Sequence, residues 1–135
     1  MTLMSERVYV AGASSERNER AKPVIAALEA AGYVITHDWT KSVDMHGANN
    51  EAKTLTKEAL AACAIDDVEG VASADVFVLL APQGPSTGAW VELGVALAVG
   101  CDIYVSGNVE KCIFTLIPGC RHFDTDAELL AELAP

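Results

Sequence analysis

Positive charge is scarce in this chain. Nine lysines and arginines stand against 19 aspartates and glutamates over 135 residues, a formal charge of −10. A surface so biased repels polyanions, which argues against binding of nucleic-acid polymers and against docking on anionic membranes. Long apolar runs are also missing. Residues 76–82 and 89–99 are the longest, and both fall short of the roughly 20 needed to cross a bilayer. The opening residues lack the apolar centre of a signal peptide, so a soluble, cytoplasmic protein is expected. Cys63, Cys101, Cys112 and Cys120 form no CxxC pair and are expected to be reduced thiols behaving as small hydrophobes. His37, His46 and His122 are scattered, with neither an HExxH pattern nor a Cys/His cluster, so no metal is expected. GxGxxG, Walker and GxSxG patterns are absent too. Dinucleotide cofactors, P-loop chemistry and acyl transfer therefore drop out, and no cofactor is expected.

What remains is an alternation of strands and helices, with no internal repeat, in a chain of single-domain size. Residues 7–11 (RVYVA) read as a strand ending at Gly12, and residues 16–31 as a helix with Val24, Ile25, Leu28 and Ala31 on one stripe. Residues 33–36 make a second strand, followed by a segment at 40–50 that shows no period and reads as a loop long enough to be a lid. A helix over 51–73 is predicted from the recurrence of Leu55, Ala59, Leu60, Cys63, Ala64, Val68 and Val71 at spacings of three and four. Residues 76–81 (VFVLLA) are apolar throughout, as in a parallel strand covered on both faces. The turn at 82–88 then leads into a helix at 89–99 expected to have no exposed face. A strand at 102–105, a connection through 106–118, a strand at 121–123 and a helix at 124–133 complete the chain. This order predicts an α/β fold, an open parallel sheet with helices on both faces, and places ligands at the carboxyl ends of the strands. The loops after Ala11, Thr36 and Ala81 are the ones to examine.

Glu92 is the most informative side chain. It lies within the first two turns of an otherwise apolar helix, where an unpartnered buried carboxylate would cost several kcal/mol. The helix dipole helps keep it ionised, and an ionised, partly desolvated carboxylate is a nucleophile toward electrophilic carbon. Asp67 falls on an apolar stripe near the carboxyl-terminal end of its helix, where the dipole disfavours ionisation and suits a proton donor; Asp66 beside it competes for that role. Asp75, opening a strand at its amino end, reads as a loop-bonding residue. Gly12, Ser14, Ser15 and Arg17, between the first strand and first helix, can converge on an anion, as can Ser86 and Gly88 in the turn before Glu92. Together these turns suit a sugar phosphate, although Glu16 adds a charge that a phosphate would avoid. Tyr9 and Trp39 are candidate walls for a planar base, with core packing the alternative for Tyr9.

The pieces Val8-Tyr9-Val10-Ala11-Gly12, Asp67-Val68-Glu69-Gly70-Val71, Ala74-Asp75-Val76 and Pro85-Ser86-Thr87-Gly88 running into Glu92-Leu93-Gly94 resemble the nucleoside 2-deoxyribosyltransferase superfamily. The likeness is strongest to its 2′-deoxynucleoside 5′-phosphate N-hydrolase branch. That resemblance implies one three-layer, flavodoxin-like or Rossmann-like domain over residues 1–135, with a five-stranded parallel sheet, assembled as a homodimer or larger oligomer. It implies cleavage of the N-glycosidic bond of a (deoxy)nucleoside 5′-monophosphate, with Glu92 attacking C1′ to give a covalent glycosyl intermediate and Asp67 handling the base or its proton. Tyr9 and Gly12 would line the pocket, and Ser86, Gly88, Ser15 and Arg17 would contact the phosphate. Transferases of the superfamily resemble one another in an acidic residue that this turn lacks, which favours hydrolysis over transfer of deoxyribose between bases. A nucleotide-binding module without turnover is the alternative of a different class.

Overall fold

The computed structural model describes residues 5–108 and 112–135. Three strands run through the centre: β1 (Arg7–Ala11), β3 (Val76–Leu80) and β4 (Asp102–Ser106), flanked by β2 (Val34–Ile35) and β5 (Arg121–Phe123). All pairings are parallel and the order is β2-β1-β3-β4-β5. Every residue of β3 is buried, which explains its uninterrupted apolar sequence. Tyr9 pairs in register with Phe77, and their rings stack with centroids 6.1 Å apart inside the core.

The helices are α1 (Lys22–Ala30), α2 (Thr40–His46), α3 (Lys57–Ala72), α4 (Gly88–Val99) and α5 (Asp126–Leu133). The strand order reverses direction after β2, so right-handed crossovers put α1 on one face and α3 and α4 on the other. Accordingly α1 packs with α5, and α3 with α4. Local chemistry sets the helix ends. The turn at Arg17–Ala21 is wound wide, immediately before Pro23, which has no N–H to donate. Thr56 caps α3 by accepting from Ala59 N, Thr125 caps α5 by accepting from Glu128 N, and Gly100, left-handed at φ 82°, closes α4. Asp75 accepts from Arg7 N at 2.9 Å, in the loop-bonding role expected of it.

Three expectations need correction. The aperiodic segment at 40–50 is not a loop: α2 fills most of it, followed by a single 3-10 turn, Ala48–Asn50. Its start is fixed by Asp38 Oδ1, which accepts from both the Thr40 N–H at 3.0 Å and the Thr40 hydroxyl at 2.5 Å. Asp44 then joins it to the first helical segment through Arg17 and Lys22. The helix predicted from 51 starts at Lys57, after Thr56. Finally, the apolar residues of α3 and α4 are not all core: Ile65 is 56% and Val91 63% exposed, and Leu60, Val68 and Val99 are exposed with them. The part of the connection at 109–111 lies outside the described residues. No described helix is long and apolar enough to cross a membrane.

Because Asp38 bonds both the N–H and the hydroxyl of Thr40, the first residue of α2, Asp38→Ala should cost about 1 kcal/mol. Thermal unfolding should show that loss, and amide exchange should show faster opening of residues 40–46; unchanged protection there would contradict this role.

Candidate active site

In a sheet ordered this way, the loops after β1 and β3 leave adjacent strands in opposite directions and open a crevice between them. A cavity of about 720 Å³ occupies that place, a size suited to a small organic ligand. The first loop contributes Gly12, Ser14 and Ser15, and the second Pro85, Ser86 and Thr87, continuing into Gly88, Ala89 and Glu92 of α4. Asp66 and Asp67 of α3 and Trp39 also face it. Trp39 is held by its indole N–H, which donates to Val10 O at 2.7 Å.

Glu92 is 9% exposed, on the inner side of α4. Its carboxylate accepts a short hydrogen bond from the Tyr9 hydroxyl. Burial, opposed by that bond and reinforced by the nearby charge of Asp67, pushes the Glu92 carboxyl up to about 7. The dipole-stabilised carboxylate expected from the sequence is therefore a group poised between its two protonation states. Burial and the adjoining Glu92 carboxylate also raise the Tyr9 hydroxyl, so it stays a donor. Tyr9 itself is fully buried and is not a wall of the cavity; its ring belongs to the core and only its hydroxyl serves the site.

Asp67 lies 3.2 Å from His37 Nε2. Burial raises its carboxyl, with His37 acting in the opposite sense and Asp66 in the same one. Gly70 makes this grouping possible: a Cβ there would stand 2.7 Å from His37 Cβ and 3.1 Å from the Tyr9 ring. Only glycine lets α3 approach β1 this closely.

Arg17 takes a different position from the one expected of a phosphate contact. It does not line the cavity: its Nε pairs with Asp44 Oδ1 at 2.8 Å and its Nη1 donates to Ser14 O. Glu16, whose charge seemed unfavourable to a phosphate, also points elsewhere, onto Arg20. The described cavity lining contains no lysine or arginine. Ser14, Ser15, Ser42, Ser86 and Thr87 bring hydroxyls to it, while Glu51, Asp66, Asp67 and Glu92 supply acid.

The segment expected to be a lid supplies a whole wall, although none of its residues was singled out from the sequence. Ser42, Val43, His46, Gly47, Asn50, Glu51 and Leu55 line the cavity from the segment around α2. Asn50, left-handed at φ 58°, folds this segment over by bonding both Thr54 N and Leu55 N through Oδ1 and Leu55 O through Nδ2. No motif marks these positions; an asparagine in an aperiodic stretch was the one available signal. Among the described residues, no three His, Cys, Asp or Glu side chains gather as a metal cage.

The parallel order, the crevice and the buried carboxylate define a flavodoxin-like α/β protein with a small-molecule cleft. The fold is the one implied by the resemblance to the nucleoside 2-deoxyribosyltransferase superfamily. It is shared with the solved structure of a CMP N-glycosidase from Clostridium botulinum, BcmB, with a TM-score of 0.63 and 18% sequence identity over 95% of this chain and 98% of that one. No family model matches the sequence, and no curated protein does.

The raised Glu92 carboxyl has a consequence for stability. Its folded value near 7 exceeds the ordinary 4.5, so the native state holds a proton that the unfolded chain has released, and stability falls as pH rises from about 4.5 through about 7. Glu92→Gln removes this cost. The variant should match the wild type near pH 4.5 and exceed it above pH 7 by on the order of 3 kcal/mol, at about 1.36 kcal/mol per pKa unit. A stability gap independent of pH in denaturant titrations would contradict the assignment.

Proposed function

We propose that the protein, acting over its whole length as one domain, is an N-glycosidase that releases the base from a nucleoside or deoxynucleoside 5′-monophosphate. The observation that carries this reading is Glu92: a buried carboxylate, held by a tyrosine hydroxyl, at the wall of a nucleotide-sized cleft. The shared fold of the CMP N-glycosidase supports it.

In the proposed reaction Glu92 attacks C1′ of the sugar through an oxocarbenium-like transition state. The C1′–N bond breaks, its electron pair leaves with the base, and Asp67 supplies the base's proton. Water then attacks C1′ of the glycosyl ester, Asp67 takes a proton from it, and the C1′–O bond to Glu92 breaks, regenerating the carboxylate. The working state thus carries one proton shared between two coupled carboxyls. Tyr9 keeps one oxygen of Glu92 fixed during attack. Gly12, Trp39, Ser14, Ser15, Ser86 and Gly88 bind substrate. The N–H groups at the start of α4, with the surrounding hydroxyls, take the phosphate, and the acidic end formed by Asp66 and Asp67 takes the base. Arg17 would reach a phosphate only by leaving Asp44.

The oligomer belongs to the same reading. Ala61, Ile65, Val68 and Ala72 on α3, with Val91, Gly94 and Ala98 on α4, form an exposed stripe without a charged residue on two helices that pack side by side. A surface of that kind suits a second copy of the chain, paired about a two-fold axis. The negative charge and a nucleotide substrate fit a cytoplasmic enzyme.

Incubation with a panel of nucleosides and their 5′-monophosphates, with chromatography of the products, should reveal free base from monophosphates. Glu92→Ala should lower the rate by at least about 10³-fold with the fold intact. Retained activity in that variant would refute the mechanism. A new nucleoside accumulating when a second base is added would instead mark a transferase. In sedimentation the wild type should exceed the 14.2 kDa of one chain, and Ile65→Glu should return it toward that mass; a monomeric wild type would contradict the pairing.

A further inference from the structure

Glu16 and Arg20 lie just outside the cleft and take no part in the chemistry above, yet they hold its two hydroxyl-bearing loops together. Glu16 ends the short turn Ser14–Glu16, so it is covalently part of the first loop. Its Oε2 accepts from the backbone N–H groups of Gln83 and Gly84, at 3.0 and 3.4 Å, in the second loop. Its Oε1 pairs with Arg20 Nη1 at 2.9 Å. Arg20 in turn donates from Nη1 to Ala81 O, at the end of β3, at 2.7 Å, and from Nη2 to Ser106 O, at the end of β4, at 3.4 Å. Its Nε and Nη2 grip both oxygens of Asp126, at the start of α5, at 2.9 Å each, and Ser106 Oγ donates to Asp126 Oδ1. One planar cation thus holds two carboxylates and two strand ends in a fixed arrangement, which lysine could not reproduce.

The consequence for the cleft follows from connectivity. Ser14 and Ser15 stand two and one residues before Glu16, and Ser86 to Gly88 stand two to four residues after Gly84. Both sets line the same cavity. With no lysine or arginine among its described lining residues, the cavity would hold an anion through several weak donors, and these act together only if their spacing is right. A misplacement of 1 Å in such an array can cost about 10²-fold. We propose that Glu16 is a positioning residue for the 5′-phosphate: by tying the backbone of residues 83 and 84 to its own loop, it sets the distance between the two groups of phosphate donors. This rests on the monophosphate reading above and adds to it a named determinant of phosphate preference. The carboxylate of Glu16 is taken up by Arg20 and by two N–H groups and does not line the cavity, so it is not turned toward a phosphate there.

Glu16→Gln tests this, because its amide must present NH₂ either to the backbone donors or to Arg20. The preferred monophosphate and the same nucleoside without phosphate are compared as substrates, and both are titrated by thermal shift into proteins carrying Glu92→Gln, so that phosphate preference is read without turnover. We expect Glu16→Gln to raise KM for the monophosphate about 10-fold or more, to change kcat less than about 3-fold, and to leave the nucleoside's KM within about 2-fold. Asp126→Asn, on the far side of Arg20, should lower the Tm and leave the preference intact. If Glu16→Gln does not fold, Glu16→Asp, which keeps the charge but falls short of residues 83 and 84, should show the same selective loss. Equal losses on both substrates, an Asp126→Asn variant that loses the preference equally, or a wild type that binds nucleoside and monophosphate alike would overturn the assignment. Binding preference without base release would refute the proposed reaction and leave the role of Glu16 standing.

Discussion

A carboxylate removed from water must be given a donor, and here Tyr9 gives one to Glu92 across the sheet surface. The two residues are 83 positions apart. Joining them requires β1 to lie beside β3, and α4 to follow β3 directly with its inner side against β1. The Tyr9 ring is itself locked by stacking on Phe77, its partner in the strand register. A single hydrogen bond thus depends on the central sheet, and the reactivity proposed for Glu92 depends on that bond. Burial alone would drive the carboxyl further toward its neutral form; the tyrosine hydroxyl offsets this and leaves it near 7.

The same logic spreads outward from this pair. Gly70 permits the close approach of α3 that brings Asp67 and His37 beside Tyr9. Asp38 and Asp44 hold α2 as a wall, and Arg17 serves that wall instead of the cleft. Asp66, Asp67 and Glu92 line one cavity together with the hydroxyls of the two loops.

Much of this architecture was legible in the sequence because burial on both faces leaves a plain signature. The strand at 76–81 could hardly be anything else, and the alternation around it gives the parallel sheet. β2 was weaker: it pairs through two residues at an edge, where little burial selects the sequence. The segment of α2 was misread because that helix is fixed by Asp38 and Asp44, not by an apolar stripe. For α3 and α4, periodicity reported apolar faces correctly but not which of them meet this chain's core; Ile65 and Val91 face outward. Of the site, Glu92 stood out because it is a charge inside an apolar helix. The partners that decide its behaviour did not, since nothing local in the sequence joins Tyr9 to Glu92, His37 to Asp67, or Arg17 to Asp44.

The central claim, that Glu92 bonds covalently to the sugar, is tested most directly by intact-protein mass spectrometry after rapid quench. The probe is a 2′-deoxy-2′-fluoro nucleoside 5′-monophosphate, whose electronegative substituent slows both steps by destabilising the oxocarbenium-like transition state, with a good leaving base to keep the first step the faster. The account predicts a protein heavier by one fluorinated sugar phosphate, with the added mass on the peptide that carries Glu92 and one equivalent of base released. Base release with no adduct at any quench time, or an adduct on another residue, would contradict it.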